Sequence, residues 1–153
     1  GFHTNCGTIV GAFNYDGYGI GWDTSGIANT LYIWGQMRTR GGGPLSGGSG
    51  MYYAAPLNVW KYYVWTYDYN NLTMTLYVNG VWNIAYSIPA NTNTGTFSNI
   101  VGQPISIASP YAPGGPSAYT LPGMLGPVSI YNRVITADEI KQNFSAYRGR
   151  YGI

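Results

Sequence analysis

Five side chains in this 153-residue chain carry a carboxylate: Asp16, Asp23, Asp68, Asp138 and Glu139. They bound the acid–base chemistry open to it. Hydrolysis of a glycosidic bond needs two carboxylates facing each other across that bond, one to protonate the leaving oxygen and one to attack or to activate water. Asp68 lies in a run of turn-forming residues with Asn70 and Asn71, and Asp138 and Glu139 open a helix-start pattern; these roles account for them without chemistry. Asp16 and Asp23 remain, flanking Tyr18–Trp22 (YGIGW). The single histidine, His3, sits in a patternless opening segment, Gly1–Gly7, so neither a Ser-His-Asp nor a Cys-His arrangement has a base. Cys6 is alone, which excludes a disulfide within the chain and a cysteine-based metal site. The residues predict a protein that is not an enzyme.

What the chain has in excess is aromatic surface, 16% of residues with sixteen Tyr and five Trp. Exposed rings stack on the C–H faces of pyranoses, while amides and hydroxyls order the sugar's own hydroxyls. Tyr18, Trp22, Tyr32, Trp34, Gln36 and Trp82 are the candidates for such a carbohydrate-binding surface. The competing reading is that a β-sandwich buries most of its Trp and many of its Tyr. Sixteen Tyr are more than a core of this size takes, so some face solvent or a partner. Exposed Tyr serves protein interfaces as well as glycans, and composition does not separate the two. A second candidate surface, for a partner, is Lys141, Arg148, Arg150 and Tyr151 near the end of the chain. Its alternative is a solvated helix end whose cations complement the macrodipole.

Only 8% of residues are charged, and seven basic against five acidic side chains leave a net charge of +2. That is no basic footprint for nucleic acid. No apolar run approaches the roughly 18 residues of a membrane-spanning helix, and no secretory signal precedes the first strand. Surfaces this poor in charge occur on extracellular and virion proteins and on subunits of larger assemblies. The chain begins with Gly1 rather than Met and reads as a processed start or a segment of something longer.

These side chains need elements to position them. Twenty-three Gly and nine Pro divide the chain into short strands joined by turns, within one expected domain over residues 1–153. Strands are predicted over Thr8–Phe13, Tyr18–Trp22, Thr30–Arg38, Met51–Pro56, Tyr62–Tyr67, Thr73–Val78, Val81–Ile88, Ile100–Ile107 and Gly123–Tyr131. Gly19 and Gly21 share one face of their strand, which implies a close approach by another backbone or a ligand. The clearest stretch is Val64–Gly80. Its two runs flank an Asp/Asn turn, Met74, Leu76 and Val78 alternate with Thr73, Thr75 and Tyr77, and Asn79-Gly80 is a two-residue hairpin signal leading into the next strand. Gly41–Gly50, Pro89–Ser98 and Ser109–Pro122 read as long loops. Thr136 and Glu139 match a capping box, and Ile140, Phe144 and Tyr147 follow at helical spacing, predicting one helix over Ala137–Ala146.

Trp60, Trp65-Thr66-Tyr67-Asp68, Leu76-Tyr77-Val78-Asn79-Gly80, then Val128-Ser129-Ile130-Tyr131-Asn132-Arg133 and Thr136-Ala137-Asp138-Glu139-Ile140 together resemble the laminin-G-type, concanavalin A-like lectin/glucanase superfamily over roughly residues 8–147. The resemblance implies an all-β fold, an antiparallel jelly-roll β-sandwich with one short C-terminal helix, serving as a glycan-binding or protein-binding module. Glucanases of the superfamily cluster Glu and Asp on a single strand, and no strand here does. Some members bind calcium through Asp and Asn oxygens, for which Asp16, Asp23, Asn14 and Asn29 are the weak candidates; otherwise no cofactor is implied. The ending from Gln142 to Ile153 resembles versions of this domain at the C-termini of bacteriophage and marine-virus structural proteins. That implies a place on a virion surface or outside cells, with other virion proteins, copies of the chain itself or a cell-surface glycan as partners. Members usually open with further strands before the segment matching Thr8–Trp22, so a sheet edge here is expected to be left for a neighbour.

Overall fold

The computed structural model describes residues 6–14, 16–23, 31–38, 51–68, 70–71, 73–87, 105–108, 121 and 123–153; at positions 6–8, 12–14, 16–18, 23, 31–32, 34–38, 51–52, 86 and 106 it describes the backbone alone. The three expected long loops lie outside those residues, apart from position 121. The described elements are β1 (Cys6–Asn14), β2 (Asp16–Asp23), β3 (Leu31–Arg38), β4 (Met51–Ala55), β5 (Tyr63–Asp68), β6 (Thr73–Val78), β7 (Val81–Ser87), β8 (Ser106–Ile107) and α1 (Ala137–Tyr151). Antiparallel strands with one C-terminal helix are the expected fold class. The chain forms two compact units, Gly1–Leu57 with Pro89–Val128, and Asn58–Ile88 with Ser129–Ile153.

The first unit holds an antiparallel sheet of order β4-β3-β2-β1-β8. Its register sets glycine opposite bulk: Gly7 pairs with Trp22, Gly21 with Trp34, and Gly35 with Ile20 and Met51. Thr8 pairs with Gly21 but Val10 with Ile20, so Ile9 is an extra residue in β1. A bulge of this kind bends the strand. The carbonyl of Ile9 is not wasted, since it accepts the N–H of Ala108 at 2.8 Å beside the short β1–β8 pairing. Ile9, Trp22, Ile33 and Ala55 are buried. The strand expected over Ile100–Ile107 is observed only as β8, because positions 100–104 lie outside the described residues.

The second unit is the meander β5-β6-β7 with α1. Met74 and Leu76 are buried while Thr73, Thr75 and Tyr77 are half-buried, as the alternation predicts. Asp68 closes the first turn: Oδ1 accepts the N–H groups of Asn70 and Asn71 at 2.9 and 3.2 Å, and Oδ2 accepts the Asn71 side-chain amide at 2.7 Å. Those bonds hold its carboxyl below the usual range, with the Asn71 side chain the largest cause. Asn79 (φ 51°) and Gly80 (φ 75°) are both left-handed, the backbone that a two-residue hairpin demands. Asn79 also ties the turn to the chain before β5, donating its N–H to the Tyr62 carbonyl at 2.8 Å and accepting the Tyr62 N–H on Oδ1 at 3.0 Å. In β7, Ile84 pairs with Leu76 and Trp82 with Tyr77, which leaves Asn83 as a bulged extra residue.

Two expectations fail in this unit or beside it. Gly123–Tyr131 forms no strand; it runs as irregular chain, with Met124 78% exposed. Pro127 has no N–H to give a ladder, and Gly123 and Gly126 cost backbone entropy and bring no side chain to pack. The helix is longer than predicted and ends at Tyr151 instead of Ala146. Its stop is Gly152, left-handed at φ 66°, with the Ile153 N–H donating to the Arg148 carbonyl at 3.1 Å, while Gly149 continues as an ordinary helical residue. The start is as read. Thr136 Oγ1 accepts the Glu139 N–H at 3.2 Å, and Glu139 Oε2 accepts the Thr136 N–H at 2.7 Å.

Candidate functional site

Helix α1 is seated on the second unit by aromatic side chains. By strand alternation Tyr62 shares a face with Val64, and so with Tyr77 and Trp82 in the row across β6 and β7. On that side the Tyr62 ring lies 6.0 Å from Phe144 and 6.4 Å from Tyr147, and the Trp60 ring lies 4.7 Å from Tyr151. Phe144 sits directly over the hairpin: a Cβ added to Gly80 would lie 2.9 Å from its Cδ1. Helical spacing puts Ile140, Phe144, Tyr147 and Tyr151 on one stripe, and Ile140 is fully buried.

A polar cluster borders that stripe. The Asn143 side-chain amide donates to the Tyr131 hydroxyl at 3.2 Å and also bonds the Tyr62 hydroxyl. Burial, followed by the neighbouring Tyr131 and Tyr147 hydroxyls, raises the Tyr62 phenol above its ordinary value, and the Asn143 bond opposes the rise. At the helix start Arg133 grips Glu139 with both guanidinium arms, at 2.9 and 2.6 Å, and the Glu139 carboxyl falls to about 2. That bond and the Thr136 N–H are the main causes. At the other end of α1, the Arg148 guanidinium lies over the Phe144 ring at 5.8 Å and the Arg150 guanidinium over the Tyr151 ring at 5.7 Å. Among the described residues neither faces a carboxylate. Lys141, Arg148 and Arg150 are exposed, and Tyr151 is half-buried against Trp60. All four predicted partner residues therefore belong to α1, where Arg148 and Arg150, two residues apart, stand about 200° from each other around the axis.

The five carbohydrate candidates of the first unit do not share one face of its sheet. Trp22 is a correction: at 4% exposure its ring is a core side chain with no face for a sugar, and its indole N–H has no partner among the described residues. Tyr18 and Trp22 lie in register rows with Met37 and Ile33, whereas Trp34 and Gln36 lie in rows with Gly21 and Gly19, on the opposite face of the sheet. Tyr32 pairs with Asp23 and Ala54. The side chains of Tyr18, Tyr32, Trp34 and Gln36 lie outside the described ones. Trp82 belongs to the other unit and is 59% exposed on β7, an edge strand, beside Val81 at 67%.

Asp16 and Asp23 stand at opposite ends of β2, seven residues apart along a strand, or about 23 Å. A glycosidase pair needs roughly 5–9.5 Å. At that separation the two also cannot share one calcium ion, which binds its oxygens at about 2.3–2.6 Å. Among the described residues no group of three His, Cys, Asp or Glu side chains gathers to hold a metal.

Sequence reasoning missed Trp60, Tyr62, Tyr131 and Asn143. The helical spacing of Asn143, Tyr147 and Tyr151 signals one shared face, but nothing local says that the chain before β5 is what they meet.

The family model for the concanavalin A-like lectin/glucanases superfamily matches residues 3–141. No curated protein matches the chain. A solved structure, an S-layer domain-containing protein (residues 221–444) from Clostridium thermocellum, is similar at 21% identity with a TM-score of 0.44. The alignment covers 92% of this chain and 64% of that one, so the chain spans less than two thirds of its length.

Proposed function

This chain belongs to the concanavalin A-like lectin/glucanase superfamily, and we propose that within it the chain is a non-enzymatic structural protein of a virus particle, of the capsid-decoration or tail-adhesin kind. The observation that carries this reading is β7. It is the edge of its sheet, its sequence VWNIAYS holds no charge and no proline, and Val81, Trp82 and Ile84 are exposed. Edges that face solvent are ordinarily blunted by Lys, Pro or a cover, and an apolar edge is suited to a neighbouring subunit. The carboxylates fit a role without catalysis, since Asp68 and Glu139 serve a turn and a cap while Asp16 and Asp23 stand too far apart to cooperate. The resemblance of the C-terminus to phage and marine-virus structural proteins supports the particle, and the low charge supports a surface packed among others. No helix among the described residues is long and apolar enough to cross a membrane. Light scattering over a range of concentrations tests the reading. A trimer or larger assembly is expected, and Trp82→Arg should reduce it to monomer; a monomer throughout, with no affinity for particle proteins, would sink it.

The same Trp82 supports a second reading, a module for host surface glycan, because a flat exposed indole is the side chain that stacks on pyranose rings. A glycan array separates the two: binding lost in Trp82→Ala favours the module, and an array without binding removes it.

A further inference from the structure

We infer that Asn79, in the β6–β7 turn, is a site of spontaneous deamidation to aspartate and isoaspartate, held in check by the seat of α1 on the hairpin. Asn79-Gly80 is the only Asn-Gly pair in the sequence. In the reaction the Gly80 main-chain nitrogen gives its proton to water or hydroxide and bonds to Asn79 Cγ. The bond from Cγ to the side-chain nitrogen breaks, and ammonia leaves. Water then opens the five-membered imide at one of its two carbonyls, leaving aspartate or isoaspartate. One water enters, one ammonia departs, and nothing is oxidised or reduced. Glycine suits the step because no Cβ stands beside the attacking nitrogen.

Three features of the folded chain oppose ring closure. Asn79 is tied to Tyr62 twice, its N–H donating to the Tyr62 carbonyl at 2.8 Å and its Oδ1 accepting the Tyr62 N–H at 3.0 Å. Swinging Cγ onto the Gly80 nitrogen pulls Oδ1 away and leaves a part-buried N–H unpaired, which is costly. Asn79 and Gly80 are both left-handed, at φ 51° and 75°, and closing the imide turns the Asn79 main chain out of that conformation. Phe144 then lies directly on Gly80, where an added Cβ would come within 2.9 Å of its Cδ1, so the turn cannot rearrange without lifting the ring. The same ring packs 6.0 Å from that of Tyr62, so α1 braces the residue that ties Asn79.

The two products differ in what they do to the helix. Aspartate keeps the length of the turn and an oxygen for the Tyr62 N–H. Isoaspartate routes the main chain through Cβ, which makes a two-residue turn one atom longer. Its bonds to Tyr62 fall out of line, and Phe144 loses the flat seat that Gly80 provides. Each opening of the helix from the hairpin is thus a chance for a lesion that keeps it open.

The test is incubation of the whole chain at mildly alkaline pH, with mass mapping of the Asn79 peptide over time and chromatographic separation of its isoaspartate form. The folded parent should convert at least roughly tenfold more slowly than the parent in urea, the factor that about 1.4 kcal/mol of opening free energy supplies. Phe144→Ala should speed conversion of the folded chain severalfold, and Phe144→Leu, which keeps more bulk over Gly80, should speed it less. Circular dichroism checks that each variant keeps its helix before incubation. In the aged parent, trypsin should cut after Lys141 and Arg148 faster in the isoaspartate fraction than in the aspartate fraction, and Asn79→Asp should match the latter. Equal rates in the folded and unfolded parent, a Phe144→Ala chain no faster than the parent, or equal cleavage of the two fractions would each overturn the proposal. The reaction needs only water, so it stands or falls independently of what the chain assembles with.

Discussion

The two units bury the same aromatic-rich composition by different means. In the five-stranded sheet, large residues have glycine on one side of their row: Trp22 pairs with Gly7 and Ile33, Trp34 with Gly21 and Tyr52, and Ile20 and Met51 with Gly35. In the meander, bulk faces bulk: Trp65 pairs with Leu76, Tyr67 with Met74, and Tyr63 with Val78, with no glycine inside a strand. Glycine opposite a large residue leaves room for it but contributes no contact and costs entropy on ordering. The first unit therefore gains fewer cross-strand pairs per row than the second, where every pair of β5 and β6 brings two side chains together. The described ion pair, the two ring-seated arginines and the helix cap all belong to the second unit.

The sharpest way to break this contrast is to exchange the two styles. Leu76→Ala, at a fully buried position, should cost about 2–5 kcal/mol in a denaturant melt. The converse change, Gly21→Val, adds volume at a buried position between Thr8 and Trp34 and should cost about 1–3 kcal/mol. A neutral Gly21→Val would mean that the glycine rows are not filled. Gly80→Ala tests a place where the second unit relies on glycine. Its φ of 75° and the 2.9 Å approach to Phe144 predict a loss of about 1–3 kcal/mol, part of it recovered when Phe144→Leu is added.

A smaller effect is expected at the helix cap. Thr136→Ala removes the acceptor for the Glu139 N–H and should cost about 1 kcal/mol by thermal melt. The smallest concerns pH. The Glu139 carboxyl falls from an ordinary 4.5 to about 2 in the folded chain, so its contribution is present above pH 4.5 and fades as pH falls toward 2. The parent should lose stability across that acid window, and Glu139→Gln should flatten the slope there. An unchanged slope would mean that the pair with Arg133 does not persist in solution.

The second unit was legible because its instructions are local. Asp68 with Asn70 and Asn71, Asn79-Gly80, and Thr136 with Glu139 each bond within three residues or set their own backbone, so reading the residues is reading the structure. The hydrophobic alternation of β6 likewise fixed which side is buried. The helix end was misjudged because Gly149 and Gly152 look alike in sequence, and only the backbone beyond Tyr151 turns left-handed. The candidate surface was legible by half. Arg148, Arg150 and Tyr151 announce themselves by type and position, but their support comes from Trp60 and Tyr62, far away in the chain. Trp22 was misplaced for a related reason: period-two alternation gives two faces without saying which one is covered.

The bulge at Asn83 limits what β7 can become. A bare apolar edge in regular register could template its own copy, and each added chain would offer the same edge to the next. Here two residues of β7 stand where β6 supplies one, which twists the strand and breaks the even spacing of its outward bonding groups. An incoming strand can match the ladder on one side of Asn83 or on the other, but not straight through. If the proposed assembly pairs at this edge, the break at Asn83 shortens the ladder that a neighbour can form and disfavours growth into fibres.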